Sequence, residues 1–312
     1  MLAKVNKFIN KYLNFNNKTI EKNNIIIETI SYCNVRCVWC PMQNFKKHKI
    51  GRMTLESFEK IIKTNKDYLI ENYNGVEPYF RGEPLLHPQF WDLCEVLRKN
   101  GINNGGINSN LSMKIDYQKF LDYELNVLVN LGGITKEIHE SVMKQSNFDL
   151  VISNLKMLYK YGAKVSVKMN PTKINYHQQK DLPDFIESLG GKRDSILSYT
   201  TCYPIPFEAT IQELNYFFEQ IVSSEINDLL RFTYNVSDPY YAIKTKTPGC
   251  NFLMDVIFFD GQFSICCHDQ LQKVNVGNVF DTPIEKIKSS DSYKEAVAIA
   301  KKCGYDFCKE CN

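Results

Sequence analysis

Three cysteines, Cys33, Cys37 and Cys40, stand at a C-x-x-x-C-x-x-C spacing shortly after the apolar run Ile25-Ile26-Ile27. Thiolates are soft ligands that suit iron–sulfur clusters or zinc. Three protein ligands leave one metal position open, which a reactive site keeps and a structural site closes. The plainer alternatives are a zinc ribbon short of one ligand, or three buried cysteines serving as small apolar side chains. A second group, Cys250, Cys266, Cys267, Cys303, Cys308 and Cys311, ends in C-x-x-C, and Cys94 and Cys202 stand apart from both groups. Eleven cysteines so distributed point to metal binding in a reducing compartment and away from the disulfide framework of a small secreted domain.

The elements that must position these thiols read as a repeat of strand and helix. Strand patterns fall at 25–30, 76–80, 105–108, 126–131, 164–170 and 195–200, and helical patterns at 54–69, 90–100, 136–143, 148–161, 176–189 and 209–222. Thr54 suits an N-cap, and Gly101 and Gly162 suit helix ends. Strand then helix, six times over, implies a parallel α/β sheet with right-handed crossovers. The 312 residues suit one such barrel plus a small appendage. Barrel sites lie at the C-terminal ends of strands. The cysteine loop falls there, as do Gly82-Glu83-Pro84, Ser109-Asn110, Asn130 and Asn170. Gly132 and Gly133, just past a strand end, are expected to let the backbone approach a ligand closely. His87, in a turn, is expected to be structural.

Composition removes other classes. A charged fraction of 23% and a net charge of +3 give no field that would gather nucleic acid. The 44% hydrophobic content supports a core. Apolar stretches fall far short of the ~18 residues that span a bilayer, and the N-terminus lacks a secretion signal. Residues 1–24 carry Leu2, Val5, Ile9, Tyr12 and Leu13 at helical spacing between lysines. They are expected to form a helix packed outside the barrel, with contact to an anionic membrane as the lesser alternative.

C-x-x-x-C-x-aromatic-C after a first strand resembles the signature of radical SAM enzymes. Arg81-Gly82-Glu83-Pro84 is similar to that family's Gly-Gly-Glu-Pro, with Arg81 where the first glycine is common. Ser109-Asn110 resembles its Thr-Asn. Asn130 stands where relatives often carry Ser, but Gly132 replaces the acid that commonly follows. The resemblance implies an open, partial (β/α)6 barrel, TIM-like in form. It implies that Cys33, Cys37 and Cys40 hold a 4Fe–4S cluster whose fourth iron takes the amino and carboxylate groups of S-adenosylmethionine (SAM). Trp39 would lie near the adenine, Gly82, Glu83 and Pro84 against the methionine amino group, and Ser109, Asn110 and Asn130 along the rest of the cofactor, Asn130 at the ribose. An electron from the cluster would cleave the sulfonium, and the 5′-deoxyadenosyl radical would take a hydrogen atom from substrate. Apolar walls keep water and oxygen from such a radical.

The expected division is 1–24 as an amphipathic helical segment, 25–245 as the barrel and 246–312 as a small hairpin-plus-helix cluster-binding domain. In the last, Asp260-Gly261 between apolar residues marks a hairpin over 256–265, and Thr282-Pro283-Ile284-Glu285 reads as a capping box with Pro at N1. Cys250, the hairpin glycine, Cys266 and the late C-x-x-C resemble the SPASM/Twitch extension of radical SAM enzymes. The chain stops one residue after Cys311, which implies the shorter Twitch form with one auxiliary 4Fe–4S cluster on Cys250, Cys266, Cys308 and Cys311. Structural zinc on the same four is the alternative, and Cys303 could replace one of them. Cys267 is a candidate hydrogen-atom donor or a small buried side chain. Asp269 is a candidate base.

Two clusters with SAM imply a redox outcome: dehydrogenation of a sugar or cyclitol carbinol. Epimerisation with Cys267 as donor and modification of a peptide are the rival expectations. The first strand already opens at Ile25, leaving little room for a leader-recognition module. An iron–sulfur or zinc scaffold without activity would show no SAM cleavage. The expected partners are a polar small molecule (a sugar, cyclitol or nucleotide sugar) or a peptide, and a reducing protein such as flavodoxin or ferredoxin, in the cytoplasm. Arg81, His87, Asn170, Tyr199 and Tyr203 are candidate pocket residues.

Overall fold

The sheet begins with Ile25-Ile26-Ile27, a β-branched run that suits a parallel strand covered on both faces. In the computed structural model, which describes residues 22–40, 42, 49–170, 172, 174–196, 253–267, 269–302, 304 and 305, this run is β1 (Ile25–Ile27) and is buried throughout. The chain then makes a short strand, β2 (Arg36–Cys37), inside the cysteine loop. β1 takes β3 (Val76–Glu77) on one side. A parallel bridge from Val76 to Asn104 leads on to β4 (Ile107–Ser109), which is followed in parallel by β5 (Val127–Leu131) and β7 (Val165–Met169). β6 (Met143–Lys144) stands outside this order and pairs with β2. Past β7, a parallel bridge from Val167 to Ile196 begins the sixth position. The partial parallel barrel is therefore the observed architecture.

On its other edge β1 takes β8 (Val256–Ile257) in parallel, and β8 turns back into antiparallel β9 (Phe263–Ser264). The Asp260-Gly261 turn forms as expected, with Gly261 at φ 81°. Its hairpin, however, extends the barrel's own sheet. Ile257, Phe263, Ile265, Val274, Val276 and Ile287 share one core with Ile25, Ile27, Val76 and the first barrel helix. The reason is burial: the apolar strand β8 needs cover on both faces, and β1 offers it an edge.

Helices line the outer face: α1 (Leu55–Asn72), α2 (Phe90–Lys99), α3 (Tyr117–Asp122), α4 (Lys136–Val142), α5 (Phe148–Tyr161) and α6 (Leu182–Ser188). Thr54 caps α1 by accepting from the Ser57 amide at 3.1 Å. Gly162 ends α5 in the left-handed region. The helix expected over 176–189 divides into a 3-10 stretch, Tyr176–Asp181, and α6. Pro183 fits the first turn of α6 but could not sit within a continuous helix. Two further helices, α7 (Ile284–Ser289) and α8 (Asp291–Lys301), follow the hairpin. The expected capping box does not form: Pro283 occupies the cap position, and the Ile284 amide donates to Asn65 Oδ1 of α1 at 2.7 Å. The cap thus comes from across the core.

Strand alternation sorts the sheet's two faces. Val127, Val129, Leu131, Val165, Val167 and Met169 pack outward with Val151, Leu155, Leu158, Leu182 and Ile186 of α5 and α6. The residues between them, Leu128, Asn130, Ser166 and Lys168, lie on the concave face. On the other half of that face, Ile26, Val256 and Phe258 form an apolar cluster with Phe80, Met254 and Cys267. The N-terminal segment 1–21 and the helix expected at 209–222 lie outside the described residues. Among the described residues no helix is long and apolar enough to cross a membrane.

Candidate active site

The cysteine loop leaves β1 and is strapped down by β2. Cys37 pairs opposite Met143 across the β2–β6 ladder, and the Val38 amide donates to the Val142 carbonyl at 2.9 Å. Cys33, Cys37, Val38 and Trp39 pack on Val35, Val142 and Met143, so an apolar patch shields the thiols. Cys40 closes a tight turn through its amide to the Cys37 carbonyl at 3.0 Å. Burial pushes the Cys33 thiol up to about 12, opposed by the Val35 amide and raised further by Glu83 and Cys40. Cys37 is raised too, by burial first and then by Cys40 and Cys33. The three sulfurs thus sense one another's charge, and a bound metal must displace their protons.

The next strand end, Arg81-Gly82-Glu83, joins three parts of the molecule, one per residue. A Cβ on Gly82 would strike the Ile30 carbonyl and lie 2.6 Å from the Tyr32 carbonyl, so only glycine lets this turn lie against the root of the cysteine loop. The Glu83 amide then donates to the Tyr32 carbonyl at 2.9 Å. The Glu83 carboxylate, buried, accepts from Ser109 Oγ at 2.9 Å, the Asn110 amide at 2.7 Å and the Leu85 amide at 3.2 Å. Its burial raises its pKa to about 7, against those three donors. Pro84 opens the 3-10 turn that Glu83 caps. His87 bonds the Met53 carbonyl through Nε2 at 2.8 Å and accepts the Gln89 amide at Nδ1, a structural use of both nitrogens.

Asn110, at the end of β4, closes the circuit back to the cysteines. Its Nδ2 donates to Asn34 Oδ1 at 3.0 Å and lies 3.6 Å from Cys33 Sγ. Leu111, buried, follows at φ 51°, a left-handed conformation costly for a branched side chain. That kink sits where the backbone must aim the Asn110 amide at Glu83. Asn130, the penultimate residue of β5, is half-buried on the concave face, in register with Lys168. Gly132 and Gly133 have a different purpose from the one expected. A Cβ at 132 would lie 2.7 Å from the His139 carbonyl and one at 133 would lie 2.5 Å from Ile138, so these glycines admit α4. Asn170 is buried at the end of β7 with its Oδ1 unpartnered.

Arg81 enters no open pocket. Its guanidinium grips Glu28 in a two-pronged pair, Nε to Oε1 and Nη2 to Oε2, both at 2.6 Å with neither side chain exposed. Its remaining arm, Nη1, donates to the Gln270 carbonyl at 2.9 Å, and it lies over the Phe258 ring. Cys266 is buried at the end of β9, and Cys267 is partly buried against the concave apolar cluster. Asp269 departs from the expected base. Its two oxygens accept from the Lys273 amide at 2.7 Å, the Val274 amide at 2.8 Å and Ser264 Oγ at 3.0 Å. It is occupied in holding a turn, away from solvent. Cys250, Cys303, Cys308 and Cys311, with Tyr199 and Tyr203, lie outside the described residues. Glu28 was missed by sequence reasoning, although an acid directly behind a buried isoleucine run was a signal.

The donor set fits an iron–sulfur cluster. Among the described residues no three Cys, His, Asp or Glu side chains converge on a single metal ion. Three thiols spread around a shielded loop suit a multi-iron cluster, whose irons are each held by a separate sulfur. Glu83, buried with a fourth acceptor position beyond its three donors, suits a cationic ligand.

Residues 27–189 match the model of the Radical SAM superfamily, and residues 250–312 that of SPASM, an iron–sulfur cluster-binding domain. A curated relative is the tungsten-containing aldehyde ferredoxin oxidoreductase cofactor-modifying protein of Pyrococcus furiosus. It is 25% identical over 320 residues, which cover 92% of this chain and 86% of that protein. The fold is similar to that of anSMEcpe with bound AdoMet and Cp18Cys peptide, with a TM-score of 0.63, 19% identity, and 93% and 88% of the two chains covered. It is also similar to BtrN in complex with AdoMet and 2-DOIA, with a TM-score of 0.56, 17% identity and 94% of each chain covered.

Proposed function

Because this chain belongs to the radical SAM superfamily, we propose that it binds a polar, hydroxyl-bearing small molecule on the concave face of the barrel and dehydrogenates it. When bound, the cluster at Cys33, Cys37 and Cys40 and SAM supply hydrogen-atom abstraction, and the SPASM-domain cluster supplies an electron sink. The observation that carries the reading is the make-up of the concave face. One half, from β5 and β7, presents the amides Asn130 and Asn170, which suit hydroxyl groups. The other half is apolar and includes Cys267, next to the expected ligand Cys266. Cys266 itself packs in the core shared with α1, so an electron acceptor held there would lie one residue from the cavity wall.

The chain's own residues have defined tasks in this scheme. Glu83 would accept from an N–H of the SAM amino group while Ser109 and the Asn110 amide hold its carboxylate in place. Asn110 tethers the loop around Cys33. Phe80, Phe258 and Ile26 keep water from the reacting carbon. Asp269 is engaged in its own turn, and the hydroxyl proton leaves to solvent. Support for a non-protein target comes from the relative described as a cofactor-modifying protein; the shared fold itself accommodates both 2-DOIA in BtrN and a peptide in anSMEcpe.

Epimerisation is the second reading, and the position of Cys267 on the apolar wall favours it, since a thiol there could return a hydrogen atom. The test is anaerobic. Reconstituted, reduced protein should convert SAM to 5′-deoxyadenosine, and Cys37→Ala should lose that activity by at least a hundredfold. Incubation with a panel of cyclitols and sugar alcohols in deuterium oxide then separates the readings. A carbonyl product supports dehydrogenation, whereas deuterium at a retained C–H bond supports the epimerase. Equal SAM cleavage by Cys37→Ala would overturn both.

A further inference from the structure

We infer that the Arg81–Glu28 pair is a positioning latch that seats the 266–270 loop, with Cys266 and Cys267, against the turn proposed to hold SAM. The pair lies where β1, β3 and β8 meet, wholly removed from solvent. Glu28 stands one residue past β1, and its own amide donates to the Ile257 carbonyl of β8 at 2.7 Å. Its carboxylate receives both Arg81 prongs and the Phe259 amide at 3.3 Å. Arg81 directly precedes Gly82 and Glu83, so its backbone cannot move without moving that turn.

The free arm of the guanidinium is what makes this more than a buried pair. Nη1 reaches the Gln270 carbonyl, and Gln270 Nε2 in turn donates to the Cys267 carbonyl at 2.8 Å. A chain of hydrogen bonds therefore runs from β1 through Arg81 and Gln270 to the cysteine pair. Taking two charges out of water is costly, and an apolar pair of similar volume is often as stable or more so. Phe258, which already lies against the guanidinium, offers such a pair an apolar partner. What an apolar pair could not supply is the directed donor to Gln270. A planar fork that satisfies a carboxylate with two arms and a carbonyl with another is a property of arginine that lysine lacks. Asp269 secures the same loop from within, and Arg81 ties it to the β1 end of the barrel.

The inference rests on the reading of residues 250–312 as a cluster-binding unit, and the experiment separates the two. The full chain carrying Cys33→Ala, Cys37→Ala and Cys40→Ala retains only the second metal site. In that background, Glu28→Met/Arg81→Met and Arg81→Lys are compared with the parent after anaerobic reconstitution with iron and sulfide. Both variants should keep the parental melting temperature within a few degrees. Both should change the electron paramagnetic resonance line shape of the reduced cluster and speed amide exchange across 266–274 at least tenfold, with β4, β5 and β7 unchanged. Parental spectra and parental exchange in either folded variant overturn the latch. Should the double substitution not fold, Arg81→Lys decides alone, because it keeps the buried charge and removes only the fork. A parent that binds zinc and no iron would refute the cluster reading, and amide exchange would still judge the latch.

Discussion

Arg81, Gly82 and Glu83 each require their own residue type for a separate reason: a forked donor, the lack of a Cβ and a carboxylate. Glu83 carries the sharpest consequence. Its burial raises its pKa to about 7, so in the SAM-free protein it ionises only as the pH rises through that value. An N–H donor on the ligand selects the ionised form, so the Glu83 contribution to affinity should fall about tenfold for each unit below pH 7 and level off above it. Equilibrium binding of SAM to anaerobic protein between pH 5.5 and 8.5 measures this. Glu83→Gln should bind weakly at every pH and show a flat profile. A Glu83→Gln profile that keeps the parental slope would remove Glu83 from the site.

At the level of elements, the cysteine loop depends on α4 and β6, which are fastened by His139. Its Nδ1 accepts the Gly132 amide at 3.2 Å, so Nε2 carries the hydrogen and donates to Ser146 Oγ at 2.9 Å. Burial lowers its pKa to about 4, against 6.5 in the unfolded chain. The unfolded state therefore gains a proton first as the pH falls. Stability from this group is complete above pH 6.5, declines from there towards pH 4 and is then fully lost, a swing of about 3 kcal/mol. Denaturant melts at pH 7 and pH 5 should differ by about 2 kcal/mol from this residue. His139→Gln should be less stable at pH 7 and should lose that part of the pH dependence. An unchanged difference between the two pH values would refute the assignment.

On the scale of the whole molecule, the C-terminal segment completes the barrel as well as carrying cysteines. β8 covers the edge of β1, and Ile257, Phe263, Val276 and Ile287 fill the core beneath α1. At the opposite, N-terminal end of β8, Asp255 accepts from Tyr73 Oη at 2.6 Å and Tyr293 Oη at 3.2 Å, and pairs with Lys288 at 2.5 Å. A chain ending at residue 245 should therefore fail to fold cooperatively, even though it keeps every residue that matches the radical SAM model. Far-ultraviolet circular dichroism on heating tests this. A sharp transition with the parental midpoint would show that the barrel stands alone.

The spacing of Cys33, Cys37 and Cys40, the Gly-Glu-Pro turn and the alternation of the main strands and helices were legible in the sequence, whereas α3 and the short β2–β6 pair were not. Each is a local pattern: ligand type and separation, a turn with its acid, and a hydrophobic period that changes from strand to helix. The ends of α1, α2 and α5 were legible for the same reason, since Thr54, Gly101 and Gly162 act on their immediate neighbours. Only the tertiary structure decided the partners of residues distant in sequence. It paired Glu28 with Arg81 and Gln270, gave α7 its cap from Asn65, set β8 beside β1, and spent Gly132 and Gly133 on helix packing and Asp269 on a turn. The physical reason is that a buried polar group or a tight glycine is explained by what surrounds it, and those surroundings are assembled by packing across tens or hundreds of residues.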